Sequence, residues 1–410
     1  MSVYLLGTLD TKGREVAFVR DRLRELGVDV RIVDAGCQGS PSIEADVTRE
    51  AVFQAAGTSL DDMRARGDRG KAVTNAARGA AELIRNLHES GKVEGVLGLG
   101  GSAGTTIATA AMRQLPLGVP KLMVSTLASG NTRPYVGGSD ILMLNSVADI
   151  SGINRISRTV LDSAARAMAG LVSLGRSDDT GAESQDRPLI AASMFGVTTP
   201  CVNRAQEILE AAGYEVLVFH ATGNGGEAME ALIADGLIAG VLDVTTTELA
   251  DELVGGVLSA GPDRLTAAGK RGVPQVISVG ATDMVNFGPP QTIPERFGDR
   301  KFYHHNPTVT LMRTTADECR QLGAEIGRKA SAAAGPVAVI LPLQGVSAID
   351  RDGEPFDDPA ARCALFDTLR KNCRGVETIE IDRHINDAEF AETAARRLIE
   401  LIEQHQESRA

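Results

Sequence analysis

Tryptophan is missing from this chain, tyrosine and phenylalanine number four and ten, and aromatic residues make up only 3% of the whole. A core without aromatic bulk has to be filled by aliphatic side chains, and the 44 glycines suit helices packed closely on sheets. Positive charge is in deficit: 42 Lys and Arg stand against 54 Asp and Glu, a formal net charge of −12. That balance argues against sequence-independent binding to nucleic acid or to an anionic membrane, while leaving room for a local cationic pocket. The five cysteines (Cys37, Cys201, Cys319, Cys363, Cys373) are odd in number and show no Cys-x-x-Cys spacing, so neither a zinc cluster nor a disulfide framework is indicated. Long apolar runs are also lacking. The uncharged stretches Gly95 to Met112 and Ala330 to Ile349 are broken by Gly, Thr, Pro or Gln and read as buried strand plus loop. The chain opens on the strand Ser2 to Leu6 without a charged-then-apolar leader, and the expected location is the cytoplasm.

What is present is one plan written twice. VYLLGTLDTKGREVAFVRDRLRELGVDVRIVDAGCQG reads as strand, loop, helix and strand, and LIAASMFGVTTPCVNRAQEILEAAGYEVLVFHATGNGG repeats it from Leu189. Gly7 stands opposite Gly196, Gly27 opposite Gly213, and Asp34 opposite His220. The correspondence continues with GVLGLGGSAG against GVLDVTTTEL, which sets Gly98 opposite Asp243, and with GVPKLMVS against GVPQVISV. A β/α repeat at half the chain length predicts an α/β protein with two Rossmann-like, doubly wound domains and mostly parallel sheets. The expected boundaries are a domain over 1–175, a polar linker over 176–187 and a second domain over 188–410. Copy one carries a charged insertion from Ser42 to about Lys71, with Arg64, Arg66, Arg69 and Lys71, read as a solvated helix pair, a lid over the glycine turn or a subunit contact.

The stretch VEGVLGLGGSAGTT (Val93 to Thr106) is a strand, a glycine turn and a helix start. Such a turn points several backbone N–H groups one way at the positive end of a helix dipole, with no Cβ to keep an anion away. It reads either as a phosphate seat or as a structural tight turn. It is not a Walker A loop, because no Gly-Lys-Ser/Thr closes it. In a doubly wound sheet, ligands bind beyond the carboxyl ends of the strands. Those ends offer Gly7, Thr8, Asp10, Thr11 and Lys12, then Asp34, then Gly100, Gly101, Ser102, Gly104 and Thr105, then Ser129 and Gly130. Lys12 and the N–H groups suit phosphate oxygens; Thr11 or Ser102 suits phosphate or Mg²⁺; Asp10 or Asp34 suits the metal or a ribose hydroxyl. For Lys12 and Asp34 the structural readings are a surface lysine and a turn or helix-cap carboxylate.

Copy two places His220, Asp243, Glu248, Asp283 and His305 (beside His304) at expected strand ends, with His384 after the last strand. That set suggests acid/base or metal chemistry on a small polar substrate, although no compact metal motif is present. The alternative is a set of satisfied structural polar groups at strand ends. Cys201, just inside a helix start, is expected to be inert.

Taken together, GTLDTKGRE, VLGLGGSAGT, ASGNTRPYVGGSDI, SVADISGIN, FHATGNGGEAME, LDVTTTELADELVGG, HNPTVTLMRTT and HIND resemble the family of the tomato mosaic virus resistance protein and its uncharacterised bacterial and fungal relatives. The resemblance runs over essentially the whole chain. It implies a two-domain α/β protein that binds ATP in its first domain, with nucleotide contact at the copy-one residues named above other than Asp34, and that forms homodimers or higher homo-oligomers. The plant member's antiviral role and its additional C-terminal barrel domain are not carried over. The expectation is an ATP-binding protein, with Mg²⁺, that is either an enzyme acting on a small polar metabolite or a non-catalytic module engaging a protein partner.

Overall fold

The computed structural model describes residues 1–174 and 187–408, so residues 176–186 of the expected linker lie outside the described residues. The chain divides into two compact units, Met1–Glu183 and Ser184–Ala410.

In the N-terminal unit the elements run β1 (Ser2–Gly7), α1 (Leu9–Glu25), β2 (Val30–Asp34), α2 (Arg49–Ala55), α3 (Leu60–Arg66), α4 (Arg69–Glu89), β3 (Val93–Gly100), α5 (Ser102–Met112), β4 (Lys121–Ser125), α6 (Arg133–Val136), β5 (Leu142–Asn145) and α7 (Arg155–Leu174). The five strands pair in parallel in the order β2-β1-β3-β4-β5. Strand β1 shows why the sheet is covered on both faces. Val3 and Leu5 pack under α1 and α7, while Tyr4 and Leu6 pack under α2, α4 and α5, and all four are buried. The chain reverses direction across the sheet between β1 and β3, which makes their carboxyl ends the topological switch point. The charged insertion is α2, α3 and the start of α4. The short strand β5 had no separate signal in the sequence.

The C-terminal unit repeats the plan with β6 (Leu189–Met194), α8 (Thr199–Ala211), β7 (Glu215–His220), α9 (Asn224–Ala234), β8 (Gly240–Thr245), α10 (Thr247–Val254), α11 (Ala267–Arg271) and β9 (Gln275–Gly280). It continues with β10 (Met284–Phe287), β11 (Phe302–Asn306), β12 (Val309–Arg313), α12 (Ala316–Ser331), β13 (Val337–Pro342), α13 (Pro359–Asn372), β14 (Glu377–Ile381) and α14 (Ala388–Glu407). The main sheet is six-stranded and parallel, in the order β14-β13-β9-β8-β6-β7, and its reversal lies between β6 and β8. A separate antiparallel sheet, β10-β12-β11, was not anticipated. It corrects the placement of His305. That residue and His304 lie within β11, exposed, and not at the end of a main-sheet strand.

Candidate functional site

A cavity of about 260 Å³ opens at the β1/β3 switch point. The turn into α1 lends it Thr8, Asp10, Thr11 and Lys12; the segment after β2 lends Cys37 and Gln38. The start of α5 contributes Gly101, Ser102, Ala103, Gly104 and Ile107, α4 contributes Arg69 and Val73, and the loop after β5 contributes Asp149.

The α5 side of this cavity follows from glycine. A Cβ on Gly100 would stand 2.9 Å from the Gly104 Cα, and one on Gly104 would stand 3.2 Å from the Leu99 carbonyl, so only glycines let the helix begin this close to its strand. Gly101 is the N-cap and brings no side-chain acceptor. The first N–H groups of α5 therefore face the cavity with the dipole of an eleven-residue helix behind them. Thr105 is fully buried, with its hydroxyl on the Gly101 carbonyl at 2.8 Å and against Ser125 Oγ at 2.7 Å. It fastens the helix start to β4 and does not reach the cavity.

The α1 side is built differently. The Thr8 carbonyl accepts from the N–H groups of Thr11 and Lys12 at 3.0 and 2.8 Å, and Lys12 departs from helical geometry at φ −126° and ψ 16°. This turn sets Thr8 Oγ1 and Thr11 Oγ1 2.8 Å apart on the cavity wall. The Lys12 ammonium donates to the Ile150 carbonyl, which ties the Asp149 loop to the start of α1.

Asp34 lies beneath this arrangement, 2% exposed, and is not part of the cavity wall. One of its oxygens accepts from the Leu9 and Gly36 N–H groups at 3.0 and 2.9 Å, and the other accepts from Arg49 Nε at 2.7 Å. Its carboxylate thus answers the N-terminus of α1 and an internal cation, leaving no ligand role for it in this arrangement. Asp10 does reach the wall, accepting from the Gln38 N–H at 3.0 Å. Ser129 and Gly130 are exposed in the turn after β4 and are not brought to the cavity. Burial, with Asp10 adding to it, pushes the Cys37 thiol up to about 11, so it stays protonated at neutral pH.

Sequence reasoning assigned no ligand role to Asp149, Gln38, Ala103 or Val73, and set Arg69 only among the charges of the insertion. Asp149 had no usable signal, because the short strand before it, β5, is not marked in the sequence. Arg69 had none, because the insertion has no counterpart in the repeat.

The second set of candidates does not converge. Asp243 is 1% exposed and Glu248 is fully buried; both are held by Arg264, whose Nη2 is 2.7 Å from Asp243 Oδ1 and whose Nε is 2.6 Å from Glu248 Oε2. Burial raises the Glu248 carboxyl while Arg264 opposes the rise, and the Arg264 guanidinium stays charged throughout. Asp283 is 1% exposed and accepts from Ser347 Oγ at 2.8 Å, its proton held more tightly because of burial and the neighbouring Asp350. His220 is exposed at the end of the edge strand β7. His384 is buried, its Nε2 2.8 Å from the Ser347 carbonyl, and burial lowers its affinity for a proton. Cys201 is fully buried, and its thiol is pushed up to about 12. Among the described residues no group of three or more His, Cys, Asp or Glu is gathered to hold a metal, and no helix is long and apolar enough to cross a membrane.

Residues 1–177 match the N-terminal domain model of the uncharacterised protein family UPF0261, and residues 187–402 match its C-terminal domain model. A UPF0261 protein of Clostridium tetani is 49% identical over 403 residues, spanning 98% of this chain and 99% of that protein. The ToMV resistance protein Tm-1(GCR237) of Solanum lycopersicum is 41% identical over 419 residues, spanning 97% of this chain but 55% of the tomato protein. Among solved structures, UDP-N-acetylglucosamine 2-epimerase from Rickettsia bellii aligns over 98% of this chain and 96% of that chain at 10% identity, with a TM-score of 0.22.

Proposed function

The chain belongs to the UPF0261 family, and from that premise we propose that its N-terminal unit binds a nucleoside polyphosphate, ATP in the first instance, in the cavity at the β1/β3 switch point. The observation that carries this reading is the start of α5: a helix N-terminus with no side-chain cap opens onto a cavity that also holds Lys12 and Arg69. N–H groups at a positive dipole end, together with an ammonium and a guanidinium, are the donors that phosphate oxygens require. Mg²⁺ arriving with the nucleotide would find the exposed carboxylate of Asp149 on the wall, with phosphate oxygens and water completing its shell, while Asp10 is held by the Gln38 N–H and Arg49. Thr8, Thr11 and Ser102 supply hydroxyls, and Val73 and Ile107 supply an apolar surface.

Two uses of that nucleotide follow. One is an enzyme that acts on a small polar metabolite. The other is a non-catalytic module, homodimeric as the resemblance implies, whose affinity for a protein partner is set by ATP. The state of the C-terminal unit favours the second, since Asp243 and Glu248 are locked on Arg264 while His220 and His305 are exposed on two different sheets. Calorimetry with ATP and Mg²⁺ tests the binding. Hydrolysis and transfer assays against a metabolite panel, with His220→Ala and His305→Ala, test the use. Binding without turnover supports the module; turnover lost in either variant would establish the enzyme. Absence of ATP binding would remove the reading altogether.

A further inference from the structure

The repeat gives the cavity an occupied counterpart inside the same chain. Aligning GVLGLGGSAG with GVLDVTTTEL sets Ala103 opposite Glu248, one in the first turn of α5 and the other in the first turn of α10. Glu248 extends its carboxylate to the start of α9, where Oε1 accepts from the Gly223 and Gly226 N–H groups at 2.7 and 3.1 Å, and Arg264 closes on Oε2. Helix α9 leads into β8 as α4 leads into β3, so in the C-terminal unit an internal anion fills the gap between these two helix starts.

In the N-terminal unit the alanine leaves that gap without a carboxylate. The cavity is there, lined by Ala103 and Gly104 on one side and by Arg69 and Val73 on the other. Among the described side chains, the insertion's other cations are engaged: Arg49 with Asp34 and Asp10, Arg64 with the carbonyls of Gln38 and Gly39, Lys71 with Asp68. The exposed side chain of Arg69, the first residue of α4, has no hydrogen-bond or ion-pair partner among the described residues. We propose that Arg69 grips the phosphate of the bound ligand as Arg264 grips Glu248, so that the ligand's anion takes the place of the missing side chain at Ala103. This rests on the nucleotide reading and adds to it a residue supplied by the insertion.

The test is calorimetry on the full chain with ATP and with inorganic triphosphate, using Arg69→Ala, Arg69→Lys and Ala103→Glu. Loss of a charge-assisted hydrogen bond should weaken both ligands roughly ten- to a hundred-fold in Arg69→Ala, with part of the loss restored by lysine. Ala103→Glu brings its own carboxylate and should abolish binding of both ligands, while a thermal melt shows it still folded. If the unaltered chain binds ATP and Arg69→Ala binds it equally well, the role of Arg69 is overturned and the nucleotide reading survives. If triphosphate binds in an Arg69-dependent way and ATP does not, the role of Arg69 stands and the nucleotide reading falls. If neither ligand binds, both fall.

Discussion

Arg264 donates from Nε to Glu248 Oε2 at 2.6 Å, and neither side chain has any solvent exposure. The same guanidinium reaches Asp243 and Glu230. Arg264→Met should therefore strand buried carboxylates and destabilise the C-terminal unit by about 3–5 kcal/mol, read as a lower midpoint in urea unfolding. A loss within about 0.5 kcal/mol would show the network to be solvated in solution.

Asp251 is fully buried in α10 and accepts from Asn286 Nδ2 at 2.7 Å; burial pushes its carboxyl up to about 7. Its folded pKa thus stands above the unfolded value of about 3.9, and between the two the native state holds a proton that the unfolded chain has released. The stability this group confers is fully present below about pH 4 and is lost as pH rises to about 7, at up to about 1.4 kcal/mol per pH unit. Asp251→Asn removes the titration, so the variant should gain on the parent across that window. Equal pH slopes in chemical denaturation would place the Asp251 pKa near the unfolded value.

Gly100 and Gly130 were both candidates from the sequence, and the structure separates them. A methyl on Gly100 meets backbone at 2.9 Å, whereas one on Gly130 has ordinary contact at 3.6 Å from the Leu127 carbonyl. Gly100→Ala should push α5 off β3, costing about 1–3 kcal/mol of stability and at least about tenfold in nucleotide affinity. Gly130→Ala should change neither, as thermal melts and calorimetry would show.

Lys12 holds the Ile150 carbonyl and also borders the cavity. Lys12→Ala should cost roughly 1.5–3 kcal/mol of ATP affinity through loss of a charge-assisted phosphate contact. Unchanged affinity in calorimetry would take Lys12 out of the site.

The repeat, the parallel sheets and the glycine turn were legible because each is a local pattern: apolar runs of strand length, helical spacing of Val16, Val19 and Leu23, and two segments that match register for register. The antiparallel sheet from Met284 to Arg313 was not, since its polar strand β11 carries His304, His305 and Asn306 and gives no hydrophobic alternation. The cavity was half legible. Lys12 and the α5 turn sit beside their strands in sequence, whereas Arg69 arrives by way of an insertion whose path the residues do not reveal.

By itself the sequence determined that two doubled β/α units would form, and that Gly100 to Gly104 would start a helix against its strand, because hydrophobic period and glycine's lack of a side chain act over a few residues. Only the tertiary structure decided which carboxylates are available to a ligand. Asp34 is consumed by Arg49, fifteen positions on, and Asp243 by Arg264, twenty-one positions on. Asp149, by contrast, borders the cavity exposed, whereas Asp10 at the same wall has a side chain only 4% exposed and pairs with Arg49 at 4.0 Å. The difference is one of desolvation: a buried carboxylate must have a partner, and that partner is chosen by the fold.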